Sequence, residues 1–273
     1  MSNDANVTAT NVPGGFLWGA ACAGIKASGK PDVAVAVATA RDAAGICAVG
    51  AAAYTSNRVV AAPVTVGQRH LLSTGGRVGA VLVNSGNANC VTGPAGVDGC
   101  VATCVAAAQT FGCIFDEVIP SSTGINGVPF PAEKVVAAMP ALKSAVGNTP
   151  EHAQAFAQAI MTTDTRVKIA HATLAAGDPE SPVQTEARIW GCAKGAGMIG
   201  PRLAAPVGTA APLHATMLVY LFTDIAADQD AVNAVQGAFF RGHLPTSTTV
   251  EVKRMATDPR IKLEIQAIAV APA

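Results

Sequence analysis

Short apolar runs separated by turn-forming residues dominate the first quarter of the chain. Between residues 16 and 64 these runs read FLWGAACAGIK, DVAVAVATA, GICAVGAAAYTS and NRVVAAPV. Gly29 and Pro31 lie in the segment ASGKPD between the first two runs, and both residue types are typical of turns. The pattern therefore predicts several short strands here, with a turn at ASGKPD.

Further along, two apolar strands are each followed by a polar loop that contains glycine. The strand Val78–Val83 runs into NSGNANCVTG, and the short strand in DEVIP runs into SSTGING. Helical spacing of apolar residues predicts helices in GPAGVDGCVATCVAAAQTFG, which stops at Gly112, in PAEKVVAAMPALKSAV, with Pro131 near its start, and in EHAQAFAQAIM. The stretch after TTDT is irregular and has the loop AAGDPESP.

Apolar and polar residues alternate more clearly in the last part of the chain. HATMLVYLFTDI predicts a strand, DQDAVNAVQGAFFRG an amphipathic helix, and TSTTVEVKRM and IKLEIQAIAVA two closing strands. Strands and helices mix without regular βαβ alternation, which favours a layered α+β fold over a doubly wound one. We expect a first domain over residues 1–201, a spacer rich in Ala, Pro and Gly over 202–213, and a strand–helix–strand–strand segment over 214–273.

Composition narrows the function classes. The 273 residues include 18 basic and 18 acidic residues, so charge gives no reason to expect nucleic acid or an anionic membrane as a partner. No apolar stretch approaches the ~20 residues that span a bilayer. The first residues, MSNDANVTATNVPGG, have no basic segment leading into an apolar one, so we expect no secretory signal and a cytoplasmic protein.

The seven cysteines predict neither a disulfide framework nor a metal centre. Their number is odd and no pair has CxxC spacing. Cys100 and Cys104 would share a helix face, but no histidine lies nearby in the sequence to complete a zinc site. We expect reduced and mostly buried thiols, and no metal.

From the residues alone, the candidate chemistry stays open between two interpretations. The Asn and Ser residues of the two polar loops could cap the following helices; alternatively, Thr123 and Gly124 could form an oxyanion hole for an acyl-transfer intermediate. Lys194, between glycines in KGAGMI, could be a surface lysine or could contact a substrate or a carboxylate. Thr216, just before the apolar run MLVYLF, could be a plain strand residue or a nucleophile.

Seven motifs carry a family resemblance. GIKASGKPDVAV, NRVVAAPV, NSGNAN, SSTG, IMTTDT, KGAGMIGP and ATML occur in the order found in ornithine acetyltransferases, the bifunctional glutamate N-acetyltransferases of arginine biosynthesis. The chain resembles that family over about residues 14–201 and again over about 214–227. The resemblance implies an α/β sandwich of the N-terminal-nucleophile type, whose precursor cuts itself, here between Ala215 and Thr216.

The resemblance also implies the roles of the site residues. Thr216 would be the nucleophile, with its freed α-amine as the base. Thr123 and Gly124 would form the oxyanion hole. Lys194 and either Thr162 or Thr163 would bind the substrate. Acetyl would pass from N-acetylornithine to Thr216 and then to glutamate without a cofactor, in a homo-oligomer that is a heterotetramer of cleaved chains if processed.

Two departures from that family leave other functions open. About eleven extra residues, covering RLAAPVGTAAPL, separate Pro201 from Thr216, and the motifs of the family's longer second subunit do not follow. Residues 216–273 instead resemble the C-terminal half of the reactive-intermediate (imine) deaminase family, a small α+β fold. Ser247 and Gln266 stand where that family has its catalytic arginine and an acidic residue, which disfavours deaminase activity. The alternative function is an uncleaved, inactive oligomerising protein with a deaminase-like tail.

Overall fold

Two β-sheets and a layer of helices make up the part of the chain that the computed structural model describes, which is residues 12–39, 48–55, 59–176, 185–195, 217–225 and 266–271. The strands are β1 Phe16–Ala21, β2 Val33–Ala38, β3 Val49–Ala53, β4 Ala80–Asn87, β5 Val118–Ile125, β6 Lys168–Ala176, β7 Thr185–Lys194, β8 Leu218–Thr223 and β9 Gln266–Ala271. The helices are α1 Ala62–Thr74, α2 Gly93–Phe111, α3 Ala132–Ala137, α4 Met139–Ser144 and α5 Pro150–Ala159, with a 3₁₀ turn at Phe115–Glu117.

The first sheet has the strand order β1-β2-β4-β5 and separates two apolar cores. Only the pair β4–β5 is parallel. Side chains alternate across a strand, so Val33, Val35 and Val37 of β2 pack with the core on the helical side, whereas Ala34 and Ala36 pack with the core facing the second sheet. The small alanines leave room for the large aromatic rings of that second core.

The second sheet has the order β3-β9-β8-β7-β6, in which β8 and β9 are parallel and the other pairs antiparallel. Trp18 of the first sheet meets Trp190 and Phe222 of the second, with ring centroids 6.0 and 5.8 Å apart. Phe156 of α5 packs against Tyr220 and Phe222 in the same core. The chain therefore forms a layered sandwich, which fits the predicted α+β class.

Several predicted elements are confirmed. Helix α2 ends before Gly112, which has a φ of +75° and therefore favours glycine. Helix α5, strand β8 and the last part of the closing strand, now β9, also lie where the pattern placed them. The predicted helix DQDAVNAVQGAFFRG, the strand TSTTVEVKRM and the spacer 202–213 fall outside the described residues.

Other predictions hold only in part. PAEKVVAAMPALKSAV is helical as predicted but forms two short helices, the second of which begins at Met139 with Pro140 in its first turn. The end of the apolar run NRVVAAPV lies in helix α1, which the sequence pattern did not predict. The stretch expected to be irregular contains most of β6, and β7 follows it. The polar segments after the two apolar strands still belong largely to β4 and β5.

Burial of the thiols follows the expectation. In the described part of the chain Cys90, Cys100, Cys104 and Cys192 are buried, whereas Cys22 is exposed. No helix in the described ranges is long and apolar enough to cross a membrane.

We expect Trp18→Ala to lower the free energy of unfolding by about 3–5 kcal/mol, because it empties the centre of the core between the sheets. Trp18 is fully buried and contacts Phe16 as well as the two rings named above. Urea unfolding followed by circular dichroism measures the loss. Leu72→Ala on α1 is the control, since Leu72 is 84% exposed. Equal small effects of both substitutions would contradict this account of the core.

Candidate active site

The two parallel strands of the first sheet end side by side in small and polar residues. Ser85 lies opposite Thr123 in the register, and Gly86 lies opposite Gly124. Both hydroxyl residues are buried and follow the apolar positions that face the second sheet. The apolar core between the sheets therefore gives way to polar groups at this end of β4 and β5.

Gly124 allows the two strands to approach closely at this point. Its φ is +136°, which L side chains rarely adopt. A Cβ atom at Gly124 would lie 2.3 Å from the carbonyl carbon of Gly86 and 2.6 Å from the backbone nitrogen of Asn87. No side chain fits there without moving the β4 backbone, so Gly124 brings exposed main chain next to the buried Thr123 hydroxyl.

Lys194 joins this strand end to the second sheet. It is the last residue of β7 and only 4% exposed, so its interpretation as a surface lysine was wrong. Its Nζ donates hydrogen bonds to Oγ1 of Thr123 at 2.8 Å and to Oγ1 of Thr162 at 2.9 Å. Burial lowers the pKa of Lys194 to about 8, although Asp164 acts in the opposite direction. The structure thus brings together three residues that the sequence singled out.

The segment that contains Thr162 supplies two charged residues that the sequence analysis missed. The buried side chain of Asp164 forms an ion pair with Lys168 and accepts a hydrogen bond from the backbone N–H of Gly195 at 2.9 Å. Lys168 Nζ also donates to the carbonyl of Gly195 at 2.9 Å. The motif TTDT, followed by a lysine four residues after its aspartate, was the available signal.

A second missed group belongs to the segment GIKASGKPD. The carboxylate of Asp32 accepts hydrogen bonds from the backbone N–H groups of Ala23, Ile25 and Lys26 at 2.6, 2.6 and 2.9 Å, which shapes the turn between β1 and β2. Lys26 Nζ in turn donates to the carbonyl of Ala159, the last residue of α5, at 2.9 Å. Burial lowers the pKa of Lys26 as well. The turn therefore fixes the end of the helix that precedes Thr162.

The helix-capping interpretation of the polar loops was wrong. Thr92 is the residue before α2, and no side chain caps that helix; Pro131 holds the same position before α3, also without a side-chain cap. The amide of Asn89 donates to the carbonyl of Gly96, and Ser122 donates to the side chain of Asn84. These polar side chains hold the strand ends and the following turn in place.

Of the remaining predicted site residues, the structure describes only Thr163. Thr163 is exposed beside Thr162. Ala215 and Thr216 lie outside the described residues, but Leu218, two residues after Thr216, pairs with Lys194 in the β7–β8 ladder. The long spacer therefore does not prevent β8 from lying beside the strand that carries Lys194. Within the described ranges, no three His, Cys, Asp or Glu side chains are grouped as metal ligands.

Sequence comparison finds one matching family. Residues 17–241 match the ArgJ family. The chain is 42% identical over 226 residues to the arginine biosynthesis bifunctional protein ArgJ of Thermus thermophilus, a match that covers 83% of this chain and 51% of that protein. It is 36% identical over 250 residues to the protein of the same name from Neisseria gonorrhoeae, covering 90% of this chain and 55% of that protein. The chain thus spans about half the length of the curated relatives it matches.

Solved structures give the same result for the fold. The ArgJ protein of Bacillus halodurans superposes with a TM-score of 0.60 at 31% identity, covering 71% of this chain and 94% of the solved one. An ornithine acetyltransferase from Mycobacterium tuberculosis, solved in complex with ornithine, has a TM-score of 0.58 at 34% identity and covers 71% of this chain and 96% of its own. The sandwich described above is therefore similar in fold to both proteins.

Proposed function

The chain belongs to the ArgJ family, and on this premise we propose that it is an acyltransferase that moves an acetyl group from N-acetylornithine to glutamate. The observation that carries the proposal is the buried contact between Lys194 and Thr123 beside Gly124. The relatives bear the name of an arginine biosynthesis protein, and one solved relative is an ornithine acetyltransferase bound to ornithine, which supports amino-acid substrates.

The proposed nucleophile is the hydroxyl of Thr216. Self-cleavage of the Ala215–Thr216 bond would free the α-amine of Thr216, which is partly neutral near its ordinary pKa of about 7.7–8.0 and can accept the hydroxyl proton. The Thr216 oxygen then attacks the acetyl carbonyl of N-acetylornithine. Collapse of the tetrahedral intermediate breaks the amide C–N bond, returns the proton to the departing amine of ornithine, and leaves an acetyl ester on Thr216.

Glutamate completes the cycle by the reverse chemistry. Its α-amine attacks the ester carbonyl, the bond to the Thr216 oxygen breaks, and N-acetylglutamate leaves while the hydroxyl recovers its proton. The two half-reactions share one acyl-enzyme, so the kinetics are ping-pong and need no cofactor.

The proposed oxyanion hole uses Thr123 and Gly124. Lys194 donates its hydrogen bond to the Thr123 oxygen, so the Thr123 hydroxyl keeps its own hydrogen for a substrate oxyanion. A charged lysine behind that hydroxyl strengthens it as a donor, because a buried positive charge acts in a low effective dielectric. At neutral pH, below its pKa of about 8, Lys194 is mostly charged and can serve this purpose.

The proposed substrate-binding residues are Lys194, Thr162 and Thr163. Together with Lys26 and Lys168, and opposed by Asp164, Lys194 gives this end of the sandwich an excess of positive charge. N-acetylornithine and glutamate both carry an α-carboxylate, which such an excess attracts. Assembly into a homo-oligomer, or into a heterotetramer of cleaved chains, and a cytoplasmic location remain predictions, as does the lack of nucleic acid and membrane partners.

Purified protein is expected to resolve on denaturing electrophoresis into fragments 1–215 and 216–273 and to form N-acetylglutamate from N-acetylornithine and glutamate. The physical reason is that both events need the Thr216 hydroxyl close to Thr123 and Gly124. Intact mass spectrometry and product chromatography measure the two results. A chain that stays full length after long incubation and forms no product would instead support the uncleaved, inactive oligomer with its deaminase-like tail.

A further inference from the structure

Both polar groups of the Gly195 backbone are held by one ion pair. The N–H of Gly195 donates to Oδ1 of Asp164, and its carbonyl accepts from Nζ of Lys168. The same two side-chain atoms bond to each other, so the three residues form a closed ring of contacts. Gly195 has a φ of +128° and directly follows Lys194, so the ring fixes the direction in which the chain leaves β7.

Burying the Asp164 carboxylate in this ring costs folding free energy. The Asp164 side chain is 1% exposed, and its second oxygen, Oδ2, is buried and has no hydrogen-bond partner among the described residues. A buried acceptor without a partner destabilises the folded chain, and a charged one does so more strongly. An asparagine could accept the Gly195 N–H equally well but could not form the ion pair with Lys168, so the charge of Asp164 serves the ion pair and not the backbone hydrogen bond alone.

We propose that Asp164 and Lys168 form a clamp on Gly195 that positions Lys194 against Thr123 and Thr162, a role that rests on the proposed function. Thr162 lies two residues before Asp164, and Lys194 lies one residue before Gly195. The clamp therefore joins the two backbone segments that carry Lys194 and Thr162, one of the residues whose hydroxyl oxygen accepts a hydrogen bond from Lys194 Nζ. Asp164 is in this account a positioning residue, because it acts through Lys194 and not on the substrate.

The charges that face Lys194 make the clamp testable. Asp164 is negative, whereas Lys168, at the start of β6, and Lys26, in the turn between β1 and β2, are positive. Asp164 raises the pKa of Lys194 against the effect of burial, and Lys168 and Lys26 lower it. Removing the charge of one clamp residue should therefore shift the titration of Lys194 in the direction opposite to removing the other.

The experiment follows Lys194 in the full chain that carries lysine labelled with ¹³C at the ε-carbon. NMR spectra recorded from neutral to alkaline pH give the titration midpoint, and Lys194→Arg assigns the signal. With Asp164→Asn, which keeps the size and the acceptor of the side chain, we expect the midpoint to move to lower pH. With Lys168→Met, we expect it to move to higher pH. Glu186→Gln, an exposed carboxylate on β7, is the matched control and should leave the midpoint unchanged.

Asp164→Ala separates positioning from charge. It removes the acceptor as well as the charge, so the clamp opens, water reaches Lys194, and we expect the midpoint to move up toward that of an ordinary lysine. If the midpoint moves down in Asp164→Ala as in Asp164→Asn, or moves in neither, Asp164 does not position Lys194 and the proposal is overturned. If Asp164→Asn does not fold by circular dichroism, an unchanged midpoint in Lys168→Met overturns it. The titration needs no turnover, so a wild-type chain that transfers no acetyl group would remove the proposed function without deciding the clamp.

Discussion

Gly124→Val is expected to lower the rate of acetyl transfer by about 10²–10³-fold or more, the usual cost of losing one oxyanion-hole donor. The valine side chain cannot occupy the space, because its Cβ would lie 2.3 Å from the Gly86 carbonyl carbon. The end of β5 must then move away from β4, and the Thr123 hydroxyl moves with it. Initial rates of N-acetylglutamate formation, measured over a range of N-acetylornithine concentrations, give the loss.

The control for this substitution lies three residues further along. Gly127 also has a positive φ, +74°, but no atom lies within 4 Å of the position that its Cβ would take. Gly127→Ala therefore adds a side chain at a positive φ without a clash, and we expect it to keep the wild-type rate within a few-fold. If Gly124→Val folds by circular dichroism and turns over at the wild-type rate, Thr123 and Gly124 do not form the oxyanion hole.

Thr216→Ala is expected to leave one intact chain and to lower acetyl transfer on the order of 10⁴–10⁶-fold, as removal of a catalytic nucleophile does in other enzymes. The alanine has no oxygen to attack either the Ala215 carbonyl or an acetyl group. Intact mass spectrometry follows the cleavage, and the acetyl-transfer assay follows the turnover.

Thr216→Ser is the matched control for that loss. Serine keeps the hydroxyl and loses only a methyl group, so it should still be cut and still transfer acetyl at a reduced rate. Two fragments from Thr216→Ala, or full acetyl transfer by it, would show that another residue is the nucleophile.

The fold could be predicted from the sequence where one signal dominates. Helix α2 has a long run of helical spacing and a glycine directly after it, and β8 is an unbroken apolar run. Helix α1 was missed because its first turns carry the β-branched residues Val64 and Val66, which favour strands in isolation. Pro63 at its start and Gly75 at its end, with φ at +63°, were the local signals for a helix.

The sequence predicts the site residues that lie in recognisable motifs, but it does not predict the roles of their charged neighbours. Thr123 and Lys194 were candidates from the residues alone, whereas Thr162 came from the family resemblance. The structure brings their three side chains together. The roles of the charged neighbours depend on contacts that no local pattern encodes. Lys26, for example, reaches a carbonyl 133 residues away, and Asp164 reaches the backbone of a residue 31 positions later. The first pair forms only when α5 packs against the first sheet, and the second only when β6 and β7 pair.

The strand order of the second sheet has a consequence for the chain if it is cut before Thr216. Strands β8 and β9 follow that position, yet they lie between β7 and β3, which precede it. Six residue pairs join β8 to β7 and five join β9 to β3. The two pieces could separate only if both ladders opened and the buried Tyr220 and Phe222 rings met water. After cleavage the two fragments would thus stay associated, because the short fragment supplies two inner strands of a sheet whose other strands belong to the long fragment.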